Sequence, residues 1–212
     1  MSETAARVLV RMFERMSEMI ETEKDHLSEL DGAIGDGDHG ITMSIGFKAV
    51  MAALAALDLD TASPSDVMST AASGFLDAVG ASTGPLYATG FRRAAQALAG
   101  REILDLTASR DMLVAISEGI RDRGKAQRSD KTMLDVWLPV AEVATVAVTN
   151  NLSKSDFWKA VETAAENGAT ATATMIATKG RAARLRERSL GHPDPGAVSA
   201  AALIKAIARL EL

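Results

Sequence analysis

With 212 residues, 47% of them hydrophobic and 24% charged, the chain has the composition of a globular protein of one domain, or at most two small ones. A formal net charge of −5 speaks against a nucleic-acid binder, and the lack of cysteine removes disulfides and thiolate metal sites and leans cytoplasmic. No apolar run reaches the ~18–20 residues needed to cross a bilayer, and the N-terminus, with Glu3 and no sustained apolar stretch, is unlike a signal peptide.

Helical periodicity dominates. Val8, Leu9, Met12, Phe13, Met16, Met19 and Ile20 recur at three- and four-residue steps and predict a first helix over about 3–28. A loop over 29–38 ends it. Ile41, Ile45, Val50 and Leu54 predict a second helix to about 57. Ser63-Pro64-Ser65-Asp66 offers a cap, a proline at the first helical position and an acid at the third, so a third helix starts there. The chain breaks at 79–84, and a fourth helix restarts near Pro85. Thr107 is read as the cap of a fifth helix to about 122. Thr132 with Asp135 starts a sixth to about 149, and Ser153 with Asp156 a seventh to about 178. Asp194-Pro195 starts a last helix running to the C-terminus.

That makes eight helices and no convincing strand. The valines of 140–148 sit among alanine and glutamate and read as helix. Short loops make sequential helices antiparallel neighbours. The exceptions, 29–38, 79–84, 123–131 and 179–193, are long, polar and glycine-bearing, where function tends to sit on a helical scaffold. Residues 1–212 are read as one domain. With only 4% aromatics, Ala, Leu, Val, Ile and ten Met are expected to fill the core.

The stretch "DGAIGDGDHG", 31–40, gathers three aspartates on flexible backbone. Like charges repel and ordered glycine costs entropy, so a bound cation is the natural compensation. Asp36 and Asp38 flank a glycine and can turn to one point, and Gly32 and Gly35 could return Asp31 to it. Three carboxylates suit Mg²⁺ shared with phosphate oxygens. A solvated turn is the plainer alternative, since Asp and Gly are ordinary turn residues. Neither register supplies an EF-hand ligand set. His39-Gly40-Ile41-Thr42 opens the next helix, whose free N–H groups favour phosphate. "GASTGPLY", 80–87, repeats that arrangement with Ser82 and Thr83 as hydroxyl donors, unless it is a plain turn. "TKGRAARLRERSLGHPDPG", 178–196, carries Lys179, Arg181, Arg184, Arg186 and Arg188 and could close over a polyphosphate or be a solvated linker. No Walker A loop, GxGxxG, GxSxG or HExxH occurs, so a nucleotide site here has to be helical.

Taken in order, "LDGAIGDGDHG", "GASTGPLY", "DKTMLDVWLPV" and "TKGRAARLRERSLGHPDPGA" closely resemble the nucleotide-binding L subunit of dihydroxyacetone kinase, over about residues 27–200. The resemblance implies an all-α fold: eight amphipathic antiparallel helices closed into a barrel, with the nucleotide site at one rim. It implies that Asp31, Asp36 and Asp38 hold two Mg²⁺ bridging nucleotide phosphates. His39, Gly40, Ile41 and Thr42 correspond to the phosphate segment, and Ser82 and Thr83 to the glycine-rich nucleotide loop. Gly124 and Met133 correspond to positions lining base and sugar. Arg181, with Asp194, Pro195 and Gly196, corresponds to the segment closing over the nucleotide. The implied activity is a kinase subunit of glycerol metabolism, active only with a K subunit that holds dihydroxyacetone, or a related ketose such as erythrulose, covalently. The nucleotide is ATP in one branch. In the other it is a tightly bound ADP that a phosphotransferase-system M subunit re-phosphorylates. Thr42 stands where the second branch often has asparagine, which leans toward ATP. A non-catalytic regulator contacting a transcription factor is the competing reading, and the sequence leaves homodimer formation open.

Overall fold

The computed structural model describes residues 4–210. Among them it has eight α-helices and no strand: α1 (Ala5–Ile34), α2 (His39–Leu54), α3 (Pro64–Ala78), α4 (Thr83–Ala97), α5 (Leu106–Gly124), α6 (Leu134–Thr149), α7 (Lys154–Ala171) and α8 (Pro195–Ala208). A 3-10 turn follows α7 at Thr172–Thr174, and 3-10 turns span Ala182–Ser189. The expected start of α1 at residue 3 falls outside the described residues, and α8, expected to run to the C-terminus, ends at Ala208 with Arg209 and Leu210 in a turn. None of the helices is long and apolar enough to cross a membrane.

Each helix packs on the next, and α8 returns to α1, so the eight close into a ring as the expected barrel requires. One stripe per helix faces inward. On α1 it is Leu9, Met12, Phe13, Met16, Ile20 and Leu27, all buried at helical spacing. Ala, Leu, Val, Ile and Met fill most of the core as expected, but its centre is aromatic. Phe13, Phe47, Phe75, Tyr87, Phe91 and Trp137 are fully buried and interlock at its centre. Phe47 and Phe91 lie 5.3 and 6.3 Å from Phe75, and Tyr87 lies 5.5 Å from it. A ring of eight helices encloses a span that methyl groups do not fill, so the few aromatics concentrate there. Small residues serve the joints between helices instead: a Cβ on Gly119 would sit 2.8 Å from the Gly90 Cα across α4 and α5.

Local capping agrees at α3, where Ser63 and Asp66 form a reciprocal capping box, and at α7, where Ser153 accepts from the Asp156 N–H. Several boundaries moved, α2 ending at Leu54 rather than 57 and α6 starting at Leu134 behind Met133 rather than Thr132. α5 is capped by Asp105, whose carboxylate accepts the Ala108 N–H at 2.7 Å, and Thr107 lies inside the helix. α7 stops at Ala171 instead of 178: the Thr172 hydroxyl turns back to the Ala169 carbonyl and also accepts the Asp194 N–H. α1 runs through Ile34, which is buried in the wall of the cleft, and places Asp31 in its last turn rather than in a loop.

Ring parity decides where a site can form. Odd helices end, and even helices begin, at the same rim. The connections 35–38, 79–82, 125–133 and 172–194 therefore share that rim, while 55–63, 98–105 and 150–153 lie at the other.

Candidate functional site

The connecting rim holds a cleft of about 660 Å³ lined from all four of its loops, within the ~300–1,000 Å³ usual for small-molecule sites. A second depression of about 720 Å³ lies between α6 and α7, lined by residues such as Arg128, Val143, Lys159 and Asn167, and gathers no carboxylate cluster.

At one end of the cleft, carboxylate oxygens of Asp31, Asp36 and Asp38 lie within 4.8 Å of one another. The backbone arranges this. Asp31 Oδ2 accepts the N–H groups of Asp38 (3.0 Å) and His39 (3.2 Å), tying the end of α1 to the start of α2. Gly35 passes so close that a Cβ there would sit 2.9 Å from Asp31 Cγ and overlap its oxygen. Gly37, at φ +80°, makes the left-handed step that lets both flanking aspartates face inward. Asp31 is half-buried, and Asp36 and Asp38 are exposed. Three hard oxygen donors with no sulfur or imidazole among them suit Mg²⁺. The Arg181 guanidinium pairs with Asp36 and already places positive charge in the cluster.

Helix starts and hydroxyl side chains face the carboxylates. α1, α3, α5, α7 and α8 are each capped by a side chain at the N-cap, but Asp38, Ser82 and Met133 make no such bond for α2, α4 and α6. These three helix starts turn positive dipole ends toward the cleft, although the His39 N–H at the start of α2 is taken by Asp31 and the Gly84 N–H at the start of α4 by the Ala81 carbonyl. Ser82, Thr83, His39 and Thr42 line it. Gly40 and Ile41 do not. Gly40 lies under α1, where a Cβ would sit 2.7 Å from Ser28 Oγ, and the Ile41 side chain is 52% exposed on the outer rim. His39 is buried, which lowers its pKa against the opposing pull of Asp31. Ser199 donates its one proton to the Gly196 carbonyl (3.0 Å), so His39 Nε2 donates to Ser199 (2.9 Å).

The other end of the cleft is apolar. Gly124 and Met133 line it, together with Leu86, Ile120, Ala126 and Leu134, which the sequence had not suggested. Arg181, Asp194, Pro195 and Gly196 close the third side. Asp194 caps α8 through the Ala197 N–H (2.8 Å). Burial pushes its carboxyl up to about 7, with Asp135 and Asp31 adding to the rise and the Ala197 bond and Lys131 opposing it. Lys131, also on the cleft wall, was not singled out either. It is 1% exposed, and its ammonium meets four backbone carbonyls. The only sequence signal was a lysine inside the "DKTMLDVWLPV" motif. Ser199 had none, being one small residue in the middle of a helix.

Clustered carboxylates facing uncapped helix starts, with an apolar recess beyond, define a helical site of the kind that takes a metal-bound nucleotide. The chain belongs to the DAK2-domain family, whose domain matches residues 33–209. The ADP-binding subunit DhaL of the PEP-dependent dihydroxyacetone kinase of Escherichia coli is 40% identical over 94% of each chain. The ADP-binding subunit DhaL of the PTS-dependent enzyme of Lactococcus lactis is 37% identical over 91% of each. Among solved structures, the dihydroxyacetone kinase of C. freundii in complex with AMP-PNP and Mg²⁺ superimposes with a TM-score of 0.71 at 24% identity. That match covers 99% of this chain and 35% of the larger one, a likeness of fold.

Proposed function

We propose that the chain is the cytoplasmic nucleotide-carrying subunit of a dihydroxyacetone-type kinase, a single domain that presents a metal-bound nucleotide to a ketose held by a separate subunit. The observation that carries this reading is the convergence of Asp31, Asp36 and Asp38 within 4.8 Å at the mouth of a cleft faced by three helix starts without a side-chain cap.

In this reading Asp31, Asp36 and Asp38 hold two Mg²⁺, which when bound neutralise charge on the phosphate oxygens. The N–H groups of Gly40 and Ile41, and the hydroxyls of Thr42, Ser82 and Thr83, receive the phosphate tail, the Thr42 N–H being taken by the Asp38 carbonyl. Gly40 and Ile41 act through backbone alone, since their side chains face elsewhere. His39, fixed by Ser199, orients the start of α2. Gly124 and Met133 flank the base, with Leu86 and Ile120 beside them. Arg181 exchanges its contact with Asp36 for a phosphate oxygen, and Asp194, Pro195 and Gly196 hold the start of α8 against the nucleotide. No side chain of this chain attacks the substrate; the catalytic contribution is positioning and charge stabilisation.

The relay form, with bound ADP re-phosphorylated by a phosphotransferase-system M subunit, has the better support. Relatives matching the chain along 94% and 91% of their own length are ADP-binding subunits of PEP- and PTS-dependent enzymes. Thr42 alone leans toward exchangeable ATP. The sugar-holding K subunit docks on the metal rim, where Ile41 and Ile45 stand 52% and 50% exposed one turn apart on α2. Calorimetry tests the reading: the protein binds ADP in Mg²⁺ and not in chelator, and Asp36→Ala loses binding while keeping its helical circular dichroism. Stoichiometric ADP surviving dialysis favours the relay form. A protein that ignores ADP and ATP in Mg²⁺ overturns the assignment.

A further inference from the structure

Residues 172–192 cross the cleft between α7 and α8 with little apolar anchorage; Thr172, Ala177 and Ser189 are their only buried members. Yet Lys179, Gly180, Arg181 and Ala182 from this strap line the cleft. What holds the strap in place is its neck. Lys131 Nζ donates to the carbonyls of Thr172 (2.7 Å) and Met175 (3.2 Å) on the ingoing side. On the outgoing side it donates to those of Ser189 (2.8 Å) and His192 (2.5 Å). Across the same neck the Gly191 N–H donates to the Ala173 carbonyl (2.8 Å), and the Ala177 N–H to Ser189 Oγ (3.0 Å). Both ends of the strap thus meet at one buried ammonium, and the residues between them form a compact loop closed at its base.

The chemistry requires lysine. Buried carbonyls without a partner are costly, and an ammonium offers three donors on one compact centre with no acceptor of its own, so the four carbonyls share three N–H groups, one of them bifurcated. A planar guanidinium spreads its donors in a fork and does not serve carbonyls converging from several directions. Lys131 is itself held firmly. Its backbone takes the left-handed φ of +61°, and Asp135, 4% exposed, accepts the Ser129 N–H (2.5 Å) and the Thr132 N–H (2.9 Å) on either side of it. The Thr178 hydroxyl adds an outer tie to Asp130 Oδ1 (2.6 Å).

We infer that Lys131 is a positioning residue for the nucleotide: its ammonium clasps the neck of the 172–192 strap and thereby holds Lys179, Gly180 and Arg181 over the cleft. This rests on the nucleotide reading above, but the clasp has its own readout. The strap contains Lys179, Arg181, Arg184, Arg186 and Arg188, all of them trypsin sites. In Lys131→Met, trypsin cuts the strap at least tenfold faster than in the unaltered protein while the ring helices stay intact. Affinity for Mg-ADP falls at least tenfold. With the partner subunits added, the Mg-ADP concentration needed for half-maximal turnover rises by a similar factor and kcat at saturating Mg-ADP stays within about threefold, because bound nucleotide restores the strap. Lys131→Gln, with fewer donors, carries the same test if Lys131→Met does not fold, and gives a smaller loss of the same pattern. A folded variant with unaltered strap cleavage and unaltered ADP affinity overturns the inference, and so does an equal fall in kcat and affinity. If the unaltered protein binds no Mg-ADP, the nucleotide reading fails, while strap cleavage still decides whether Lys131 is the clasp.

Discussion

Gly35→Ala tests whether the carboxylate cluster is built by close backbone approach. The added methyl would sit 2.9 Å from Asp31 Cγ and 3.0 Å from the Asp31 carbonyl oxygen, and would overlap the carboxylate oxygen itself. Ordinary carbon contacts lie near ~3.5–4.0 Å, so the carboxyl has to swing by about 1 Å. That movement breaks its bonds to the Asp38 and His39 N–H groups, which join α1 to α2. Two charge-assisted bonds at the low end of their range amount to about 3 kcal/mol. Partial exposure lets water replace some of this, leaving a stability loss of about 2 kcal/mol. The swing also takes one of three oxygens away from the cation. About 2 kcal/mol of lost coordination corresponds to roughly 30-fold weaker Mg-ADP binding. Calorimetry gives the second quantity and urea unfolding the first. Asp31→Asn is the control: it retains an acceptor for both N–H groups, so it loses nucleotide affinity with a smaller stability cost. A Gly35→Ala protein that binds Mg-ADP like the unaltered one would refute the account of why glycine stands there.

At the start of α8, Asp194 has a folded-state carboxyl raised to about 7, above the usual value of 3.8. The folded state therefore holds this proton longer than the unfolded state, and the group costs stability progressively as pH rises from about 4 to about 7. Asp194→Asn keeps the cap and removes the charge, although Lys131 then loses a favourable neighbour and Asp31 and Asp135 lose a repulsive one. Urea unfolding at pH 8 should show this variant more stable by on the order of 2 kcal/mol, with the gain gone at pH 4; a gain independent of pH contradicts the assignment. Phe75, fully buried between Phe47, Tyr87 and Phe91, should lose about 3–5 kcal/mol on truncation to Ala by the same measurement, and a loss under 1 kcal/mol would mean the ring centre is not packed by these rings. Ile41→Asp with Ile45→Asp should leave Mg-ADP binding within about twofold, since both side chains point outward, while abolishing phosphotransfer in the reconstituted kinase. Unchanged turnover would move the docking face elsewhere.

Sequence determined the helices, because their information is local. The 3.6-residue stripe on α1, the Ser63–Asp66 capping box and the Asp194-Pro195 start depend only on residues a few positions apart. The aspartate cluster was legible for the same reason: Asp31, Asp36 and Asp38 lie within eight residues, and their shared motifs carried the family resemblance. Tertiary structure decided what distant residues do to one another. Helix α7 ends at Ala171 because Thr172 is claimed by Asp194 and Lys131, far off in sequence. α1 continues through Asp31, with Ile34 buried where α1 meets the loops of the rim. The few aromatics became the centre of the core only once eight helices closed around it. Gly40 and Ile41, alike in sequence to their neighbours, were separated from the cleft by helix facing alone. Lys131 shows the division most plainly. In the sequence it is one cation among 23 Lys and Arg; its role arises from four carbonyls, 41 to 61 positions away, that only folding brings to a single point.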